Sequence, residues 1–502
     1  MNIADSEVIN KITREVLNLF KINDELSIEN DLTEDVVTTQ LKINGKTFTM
    51  SDKINPNEIE RAEIHRLVKR NLYTIFVRDF GKEPAPYGIM HGVRPTKIIH
   101  RWIRSMQNAD CEMQNYLVER LKQDYLVSEE KANLLTEVAF RQIPILRNSD
   151  EKTISIYVGI PFCVTRCLYC SFPSNVLPSE KKINEFMSVL ERDINAARIE
   201  IEKYQFKVQN IYIGGGTPTS LPNKYFAQML DMVYNSFYSN EVAEFTVECG
   251  RPDTITPEKI AAMKSYKVTR VSVNPQTMQQ RTLDIIGRRH TPEDIIVAFN
   301  ELRASGNWQI NMDLILGLPG ENVEDVKDSV EKVLALNPDD VTVHALALKR
   351  GSRLQIKLDD DLSIISGKGL KENFHLLPDY SQSLRRNLPS DEEVREMARV
   401  ADEMIRGRDY EPYYLYRQGY MSGQIENIGY CQEGAVGIYN VQIMDERQTI
   451  IGIGGAATTK VVDFKNNCLQ SSFNAKDLIT YIRDVDYYID KRSKLLDEIY
   501  GR

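Results

Sequence analysis

The sequence predicts an α/β protein whose centre is a parallel sheet of six strand–helix units, flanked by α+β segments, and three observations predict it. From residue 154 strand-like and helix-like patterns alternate regularly, with candidate strands at Ile154–Ile160, Asn210–Gly214, Glu244–Cys249, Val268–Asn274, Gln309–Leu316 and Val341–Leu348. Between the first two, Ile183, Phe186, Leu190, Ile194, Ala197 and Ile201 recur every three or four residues, as on one face of a helix. At 502 residues the chain exceeds one ordinary core, so two or three domains are expected. Six units are too few to close an eight-fold barrel.

Taken in order, Val8–Phe20 has helical apolar spacing, and Val36–Met50 alternates around Asn44-Gly45, a hairpin turn signal. Pro56, behind a capping Asn55, opens an amphipathic helix reaching about Asp79 with Ile59, Ile64, Leu67, Leu72, Ile75 and Phe76 on its stripe. Gly81–Pro86 reads as a loop, and the segment to Lys97 as a turn capping a helix from Pro95 to Met106. His91, alone in that loop, reads as a solvated or hydrogen-bonded side chain. Two further helices, Cys111–Asp124 and Ser128–Ile143, lead to a polar break at residues 147–151, which divides an N-terminal α+β domain (1–150) from the barrel (151–350). In the last segment (351–502), Ser363–Gly369 and Asp379–Pro389 read as irregular, a lid. A helix follows at Asp391–Arg406, then an aromatic run over Tyr410–Gln418, the stretch Gly452–Ala457 and a final helix at Ala475–Tyr500. No internal repeat is present.

A net charge of -9 argues against a general nucleic-acid or membrane-surface binder, which needs a basic face. An anionic substrate must therefore be held by a local cluster of Arg or Lys. No run approaches about eighteen apolar residues, and the first ten residues lack the order of a signal peptide, so a cytoplasmic protein without a membrane span is expected. Seven cysteines, an odd number without a regular framework, agree with a reducing compartment.

Three of those cysteines, Cys163, Cys167 and Cys170, fall within eight residues as C-x3-C-x2-C, directly after the first candidate strand. Thiolates this close can wrap one metal centre, shielded by Pro161, Phe162 and Tyr169. Structural zinc wants a fourth protein ligand, and none is supplied nearby: the next cysteine is Cys249 and the nearest upstream histidine is His100. An iron–sulfur cube held by three thiolates leaves one iron open to a small chelating molecule. Three buried cysteines or a disulfide is the alternative. Downstream, Gly214-Gly215-Gly216-Thr217-Pro218-Thr219 ends the second strand. Its bare backbone suits an ammonium and carboxylate, or simply a tight turn. Glu248, leaving the third strand, can accept from a ribose diol. Asp313, inside an apolar strand, is costly unless paired with an ammonium or another donor.

These motifs, in this order, resemble the radical S-adenosylmethionine (SAM) superfamily, and within it the oxygen-independent coproporphyrinogen III oxidases, most closely the HemZ-type branch called coproporphyrinogen dehydrogenase. The resemblance runs from about Tyr157 to Ala457, and the segment Tyr87–Lys97 also resembles one in that branch. It implies the open six-stranded (β/α)6 partial TIM barrel, with a C-terminal α+β extension over the substrate side. It implies a 4Fe–4S cluster on Cys163, Cys167 and Cys170, whose open iron takes the amino and carboxylate groups of SAM. Tyr157 and Tyr169 match aromatic SAM contacts, Gly215, Gly216 and Thr217 the motif for the SAM amino group, and Glu248 the ribose acceptor. Gln276, Arg288, Asp313 and Ala347 match positions that hold a second SAM in the oxidases. Against this stand a solvated Arg288-Arg289 pair and a purely structural Asp313; His290 and His344 are unassigned. Where the oxidases carry a further cysteine two residues after the last ligand, this chain has Phe172.

The resemblance further implies a low-potential electron donor of flavodoxin or ferredoxin type, a tetrapyrrole substrate, and a 5′-deoxyadenosyl radical that takes a hydrogen from a propionate. Loss of CO2 and an electron then gives a vinyl group, and two such rounds convert coproporphyrinogen III to protoporphyrinogen IX. Arg288, Arg289, Lys349, Arg350, Arg353 and Arg417 are candidate cations for the substrate's carboxylates, and the aromatic run at 410–416 a candidate cover for the macrocycle. Two rivals remain: a haem-binding chaperone of the same family, and a radical SAM methyltransferase or haem-opening enzyme.

Overall fold

The structure, a computed structural model, describes residues 7–501 apart from 21, 23–24, 57–59, 107–110, 148, 350–351, 355–386 and 419–420. Ser363–Gly369, most of Asp379–Pro389 and Arg350 lie outside the described residues. The chain divides into two compact units, Met1–Phe140 and Arg141–Arg502.

In the first unit helix α1 (Glu7–Leu19) precedes strands β1 (Leu26–Thr33), β2 (Val36–Ile43) and β3 (Lys46–Lys53), which form an antiparallel sheet in that order. The Asn44-Gly45 turn behaves as expected: both residues have positive φ (50° and 74°), and Ile43 pairs with Lys46. Strand β1 was not expected, because its outer face is polar throughout. Its buried residue is Asn30, whose amide oxygen accepts from Thr39 at 2.8 Å. Helices α2 (Glu60–Phe80), α3 (Thr96–Ser105), α4 (Cys111–Tyr125) and α5 (Glu129–Leu146) follow. Leu72 and Phe76 of α2 pack with Phe20, Leu41 and Ile89 into one apolar core. His91 lies partly buried, its Nδ1 3.0 Å from the Ile89 carbonyl.

The second unit is organised by one eleven-stranded sheet. Strands β4 (Thr153–Ile160), β7 (Lys207–Gly215), β8 (Glu244–Glu248), β9 (Arg270–Ser272), β10 (Gln309–Leu316) and β11 (Asp340–Ala345) lie side by side in chain order, all parallel. Those are the six expected strands, joined by helices α6 (Glu180–Tyr204), α7 (Asn223–Phe237), α8 (Pro257–Ser265), α9 (Gln280–Ile286), α10 (Pro292–Ser305) and α11 (Val323–Ala335). Near-continuous burial along β4 (Ile154, Ile156, Val158, Ile160) and β8 (Phe245, Val247) is what a sheet covered on its faces requires. Capping boxes fix where helices start: Thr291 with Asp294 for α10 and Asn322 with Asp325 for α11.

The C-terminal strands lengthen this sheet at both ends. Beyond β11 come antiparallel β13 (Asn427–Cys431) and then β12 (Glu411–Tyr416), so the aromatic run is an edge strand. At the other end β14 (Thr449–Gly454) adds a seventh parallel strand beside β4, followed by antiparallel β15 (Thr458–Asp463) and β16 (Cys468–Phe473). The sheet ends on β12 and β16 without closing, so the barrel is open. Helices α12 (Asp391–Arg406), with a Ser390–Glu393 capping box, α13 (Ile438–Asp445) and α14 (Leu478–Tyr500) complete the unit. Sequence periodicity missed β13 to β16 because they are five or six residues long and, in Thr449–Gly454, interrupted by glycine. Among the described residues no helix is long and apolar enough to cross a membrane.

Candidate functional site

The parallel strands carry the predicted residues towards one end. Tyr157 lies three residues from the end of β4; Gly215 and Glu248 are the last residues of β7 and β8; Asp313 is in the second half of β10; Ala347 lies just past β11, bridged to Met421. Gln276 follows β9 and bridges to Leu314 on β10. Parallel βα architectures place their sites at this end because the loops there come from every strand.

The cysteine loop is pinned rather than free. The two-residue strands β5 (Phe162–Cys163) and β6 (Asn175–Val176) pair in parallel, and the Leu177 N–H donates to the Cys163 carbonyl at 3.0 Å. The N–H groups of Gly216 and Thr217 donate to the carbonyls of Ile160 (2.9 Å) and Phe162 (2.6 Å), so the glycine turn is the surface on which the loop rests. A Cβ on Gly216 would lie 2.4 Å from the Phe162 carbonyl oxygen, which explains the glycine. Further along, the Leu168 N–H donates to the Ile286 carbonyl and the Leu354 N–H to the Leu168 carbonyl, each at 2.9 Å.

Two buried arginines hold the loop's inner side, and sequence reasoning missed one of them. Arg251, 2% exposed, donates to the Thr165 hydroxyl (2.7 Å) and carbonyl (3.3 Å) and lies 3.5 Å from the Cys167 sulfur. Its only sequence signal was its place three residues beyond Glu248. Arg288, 6% exposed, donates to the carbonyls of Gly250 (3.0 Å) and Asn274 (2.9 Å), with the Tyr169 hydroxyl at 3.5 Å. Arg288 is therefore not half of a solvated pair; only Arg289 is exposed. His290, buried beside these arginines, is pushed down to about 3, first by burial and then by both guanidinium charges, so it stays a neutral imidazole.

The donor set at the loop fits an iron–sulfur cluster: three sulfurs and no oxygen or nitrogen ligand between them. Cys163 is partly buried 3.6 Å from the Thr217 hydroxyl, and Cys167 is buried. Burial holds the Cys163 and Cys170 thiols above their ordinary range, so ionising them as ligands needs the positive charge of a metal centre. Among the described residues no three Cys, His, Asp or Glu side chains converge as around a single ion. A four-iron cube holds its thiolates farther apart than one ion does, so this is compatible with a cluster.

Beside the loop, Glu248 accepts from the Tyr212 hydroxyl (2.5 Å) and the Gly215 N–H (3.2 Å). Burial raises it to about 7, with the Asp313 charge adding to the rise and the two hydrogen bonds limiting it. Tyr212 stacks between Tyr157 (6.1 Å) and Tyr439 (4.4 Å). Gly214 leaves room for the carboxyl group: a Cβ there would lie 2.7 Å from it. Gln276 holds φ at +68°, strained for a non-glycine residue, and is tied to β10 through Gln276 N–H to Asp313 carbonyl (2.9 Å) and Ile315 N–H to Gln276 carbonyl (2.8 Å).

Asp313 is not alone in its strand. Asn311 donates to it at 2.7 Å and His344 Nε2 lies 3.8 Å away, with Tyr416 OH 3.4 Å from His344 Nδ1. Burial alone would raise Asp313, but the His344 imidazole, with Asn311 and Thr342, outweighs it and holds the carboxyl below its usual range. Tyr414 reaches this wall over Gly429, where a Cβ would lie 1.9 Å from the ring, and its hydroxyl is 3.2 Å from Thr342. Glu248, Asp313 and these tyrosines make the wall acidic and aromatic, a combination that attracts an organic cation.

Comparison with known proteins agrees with this architecture. Residues 157–333 match the model of the radical SAM superfamily. The oxygen-independent coproporphyrinogen-III oxidase-like protein HemZ of Bacillus subtilis is 36% identical over 429 residues, covering 83% of this chain and 78% of that protein. The chain belongs to the radical SAM superfamily, in the HemZ-like family. Heme chaperone HemW of B. subtilis is 33% identical over 197 residues, 39% of this chain and 51% of its own length. The radical SAM enzyme HemN of Escherichia coli, a coproporphyrinogen III oxidase, superposes with a TM-score of 0.50 at 21% identity, over 70% of this chain and 72% of that one. Radical SAM proteins use a 4Fe–4S cluster and SAM, and the fold is the HemN-like open barrel with N- and C-terminal extensions.

Proposed function

We propose that this HemZ-like protein carries out oxygen-independent, SAM-dependent oxidative decarboxylation of two propionates of coproporphyrinogen III, giving protoporphyrinogen IX. What most supports the substrate is the extended identity with HemZ, itself described as coproporphyrinogen-III oxidase-like. What supports the chemistry is the three-cysteine loop resting on the Gly214–Thr217 turn beside Glu248.

In this reading Cys163, Cys167 and Cys170 hold the cluster, and Gly215, Gly216 and Thr217 present backbone groups to the SAM amino group. Glu248 takes the ribose diol, and Tyr157 and Tyr169 bound the cofactor. When bound, cluster and SAM together supply a hydrogen-abstracting radical. The protein's share is placement. Arg251 and Arg288 clamp the loop and put positive charge beside thiolates. The Asp313 carboxylate, fixed by Asn311 and His344, faces a cationic ligand without needing to be paid for by a proton, and Gln276, Arg288, Asp313 and Ala347 are the positions for a second SAM.

The test is anaerobic incubation of reconstituted protein with dithionite, SAM and coproporphyrinogen III, with product masses measured. Loss of two carboxyl groups as CO2 supports the proposal. The HemW likeness favours a second reading, haem trafficking; tight haem binding without any decarboxylation would replace the first with it. A methylated or linear tetrapyrrole would point to the remaining rival.

A further inference from the structure

The eleven-stranded sheet ends on two edges, and they are built differently. Edge strand β12 carries devices that keep a sheet from recruiting another strand: Glu411 at its start, Pro412, which has no N–H to offer, and a break in register between Pro412 and Tyr414. Strand β16, Cys468-Leu469-Gln470-Ser471-Ser472-Phe473, carries none of them. It has no charged residue and no proline, and its six residues pair with β15 in unbroken register. Phe473 is 56% exposed, and Phe464 before the strand and Ile479 after it are exposed as well.

The direction in which each residue of that edge offers its backbone follows from its neighbours. The Val462 N–H donates to the Thr449 hydroxyl at 3.1 Å and the Gly452 N–H to the Thr459 hydroxyl at 3.0 Å, so Thr458, Lys460 and Val462 turn their backbone groups towards β14. Antiparallel strands alternate, so β15 bonds β16 through Thr459, Val461 and Asp463, whose partners are Ser472, Gln470 and Cys468. Leu469, Ser471 and Phe473 therefore present their N–H and C=O groups outward. The Asn474 N–H, next in the alternation, donates inward to the Ala457 carbonyl at 2.9 Å, as this requires. Among the described residues nothing bonds the outward groups.

These outward residues are symmetric about Ser471. A second copy laid antiparallel sets Ser471 against its own counterpart and Phe473 against Leu469 in both directions, each pair exchanging two hydrogen bonds. The apolar residues then meet on one face, and the Phe464 end of each copy lies beside the Ile479 end of the other. A foreign strand would need a matching pattern; an identical one has it by symmetry. We propose that two copies of this chain associate through β16, antiparallel and in this register, joining their sheets into one.

Sedimentation of the full-length protein tests this. It should show a reversible dimer with a micromolar dissociation constant, as suits an interface built around one strand pair. Ser471→Pro removes an outward N–H and leaves the β15 bonds in place. It should weaken dimerisation at least about tenfold, with the far-ultraviolet spectrum and iron content after reconstitution unchanged. Phe473→Lys, which leaves the backbone as it is, should weaken the dimer similarly and decides the matter if the proline variant misfolds. Ser471→Cys reads the register: the two α carbons stand about 5.5 Å apart, so mild oxidation with dithiodipyridine should link position 471 to itself. Native Cys468, opposite Asn474 in this register, should form no such link to its counterpart. A parent that stays monomeric up to about 100 µM overturns the proposal and leaves the edge to a strand from a different protein. So does a dimer that both variants leave unchanged, or a disulfide between two Cys468 thiols in place of the one at position 471.

Discussion

Glu248 sits where two demands conflict: a carboxylate that is to accept from a ligand, as proposed above, must be charged, and a buried one resists charge. The structure compromises with Tyr212, Gly215 N–H and an acid that titrates near 7. The sign of the consequence is fixed. Between about 4.5 and 7 the folded state holds a proton that the unfolded state has released, so this contribution to stability falls as pH rises through that window. In the metal-free protein Glu248→Gln should remove that part of the slope, gaining on the order of 1–3 kcal/mol over the parent at pH 8 and little at pH 4.5. Glu321, also raised to about 7 by burial, titrates in the same window, so the difference between the two denaturation profiles is the informative quantity. A pH profile unchanged by the substitution would show that Glu248 is not strained. Gly216→Ala tests the neighbouring contact. Its Cβ would drive into Phe162, and iron per chain after reconstitution should drop several-fold while the far-ultraviolet spectrum holds.

At the scale of elements, the six parallel strands were legible because each is a short apolar run followed by a helical period, and the cysteines were legible because their spacing is local. What was not legible depends on partners hundreds of residues away. The stretch Gly452–Ala457 stood out in the sequence without a reason; the structure supplies one. Gly454 has φ +90°, and a Cβ there would lie 2.3 Å from the Gly159 carbonyl, so two glycines let β14 close against the end of β4 just before the cysteine loop. The turn is held from below by Asp193 of α6, which accepts from the Gly454 N–H (2.9 Å), Tyr481 OH (2.8 Å) and Arg492 (2.7 Å). Arg492 also bonds Glu200 (2.7 Å). Arg492→Met leaves two buried carboxylates without their cation, and should cost about 3–5 kcal/mol by denaturant titration. The pair Asp193→Asn with Arg492→Met should cost less than the sum of the two single changes. Strict additivity would mean the residues do not act as a unit.

Across the whole molecule, charge and chain order carry what no single element shows. The net charge of -9 is a sum that hides a patch, and the arginines at 166, 289 and 353 become one surface only when the loops after β4, β9 and β11 meet. A chain ended at Asp445 should not accumulate as folded protein, because removing β14 exposes the edge of β4 and deletes the partners of Asp193; soluble, iron-binding truncated protein would contradict the eleven-stranded description.

That arrangement also sets a timetable for biosynthesis. The cysteines leave the ribosome nearly three hundred residues before the strand that braces the end of β4, a delay of roughly 15–60 s at about 5–20 residues per second. A nascent chain therefore displays its thiols well before it can shelter them, and a cluster built on them would be enclosed only once β14 has slotted in beside β4.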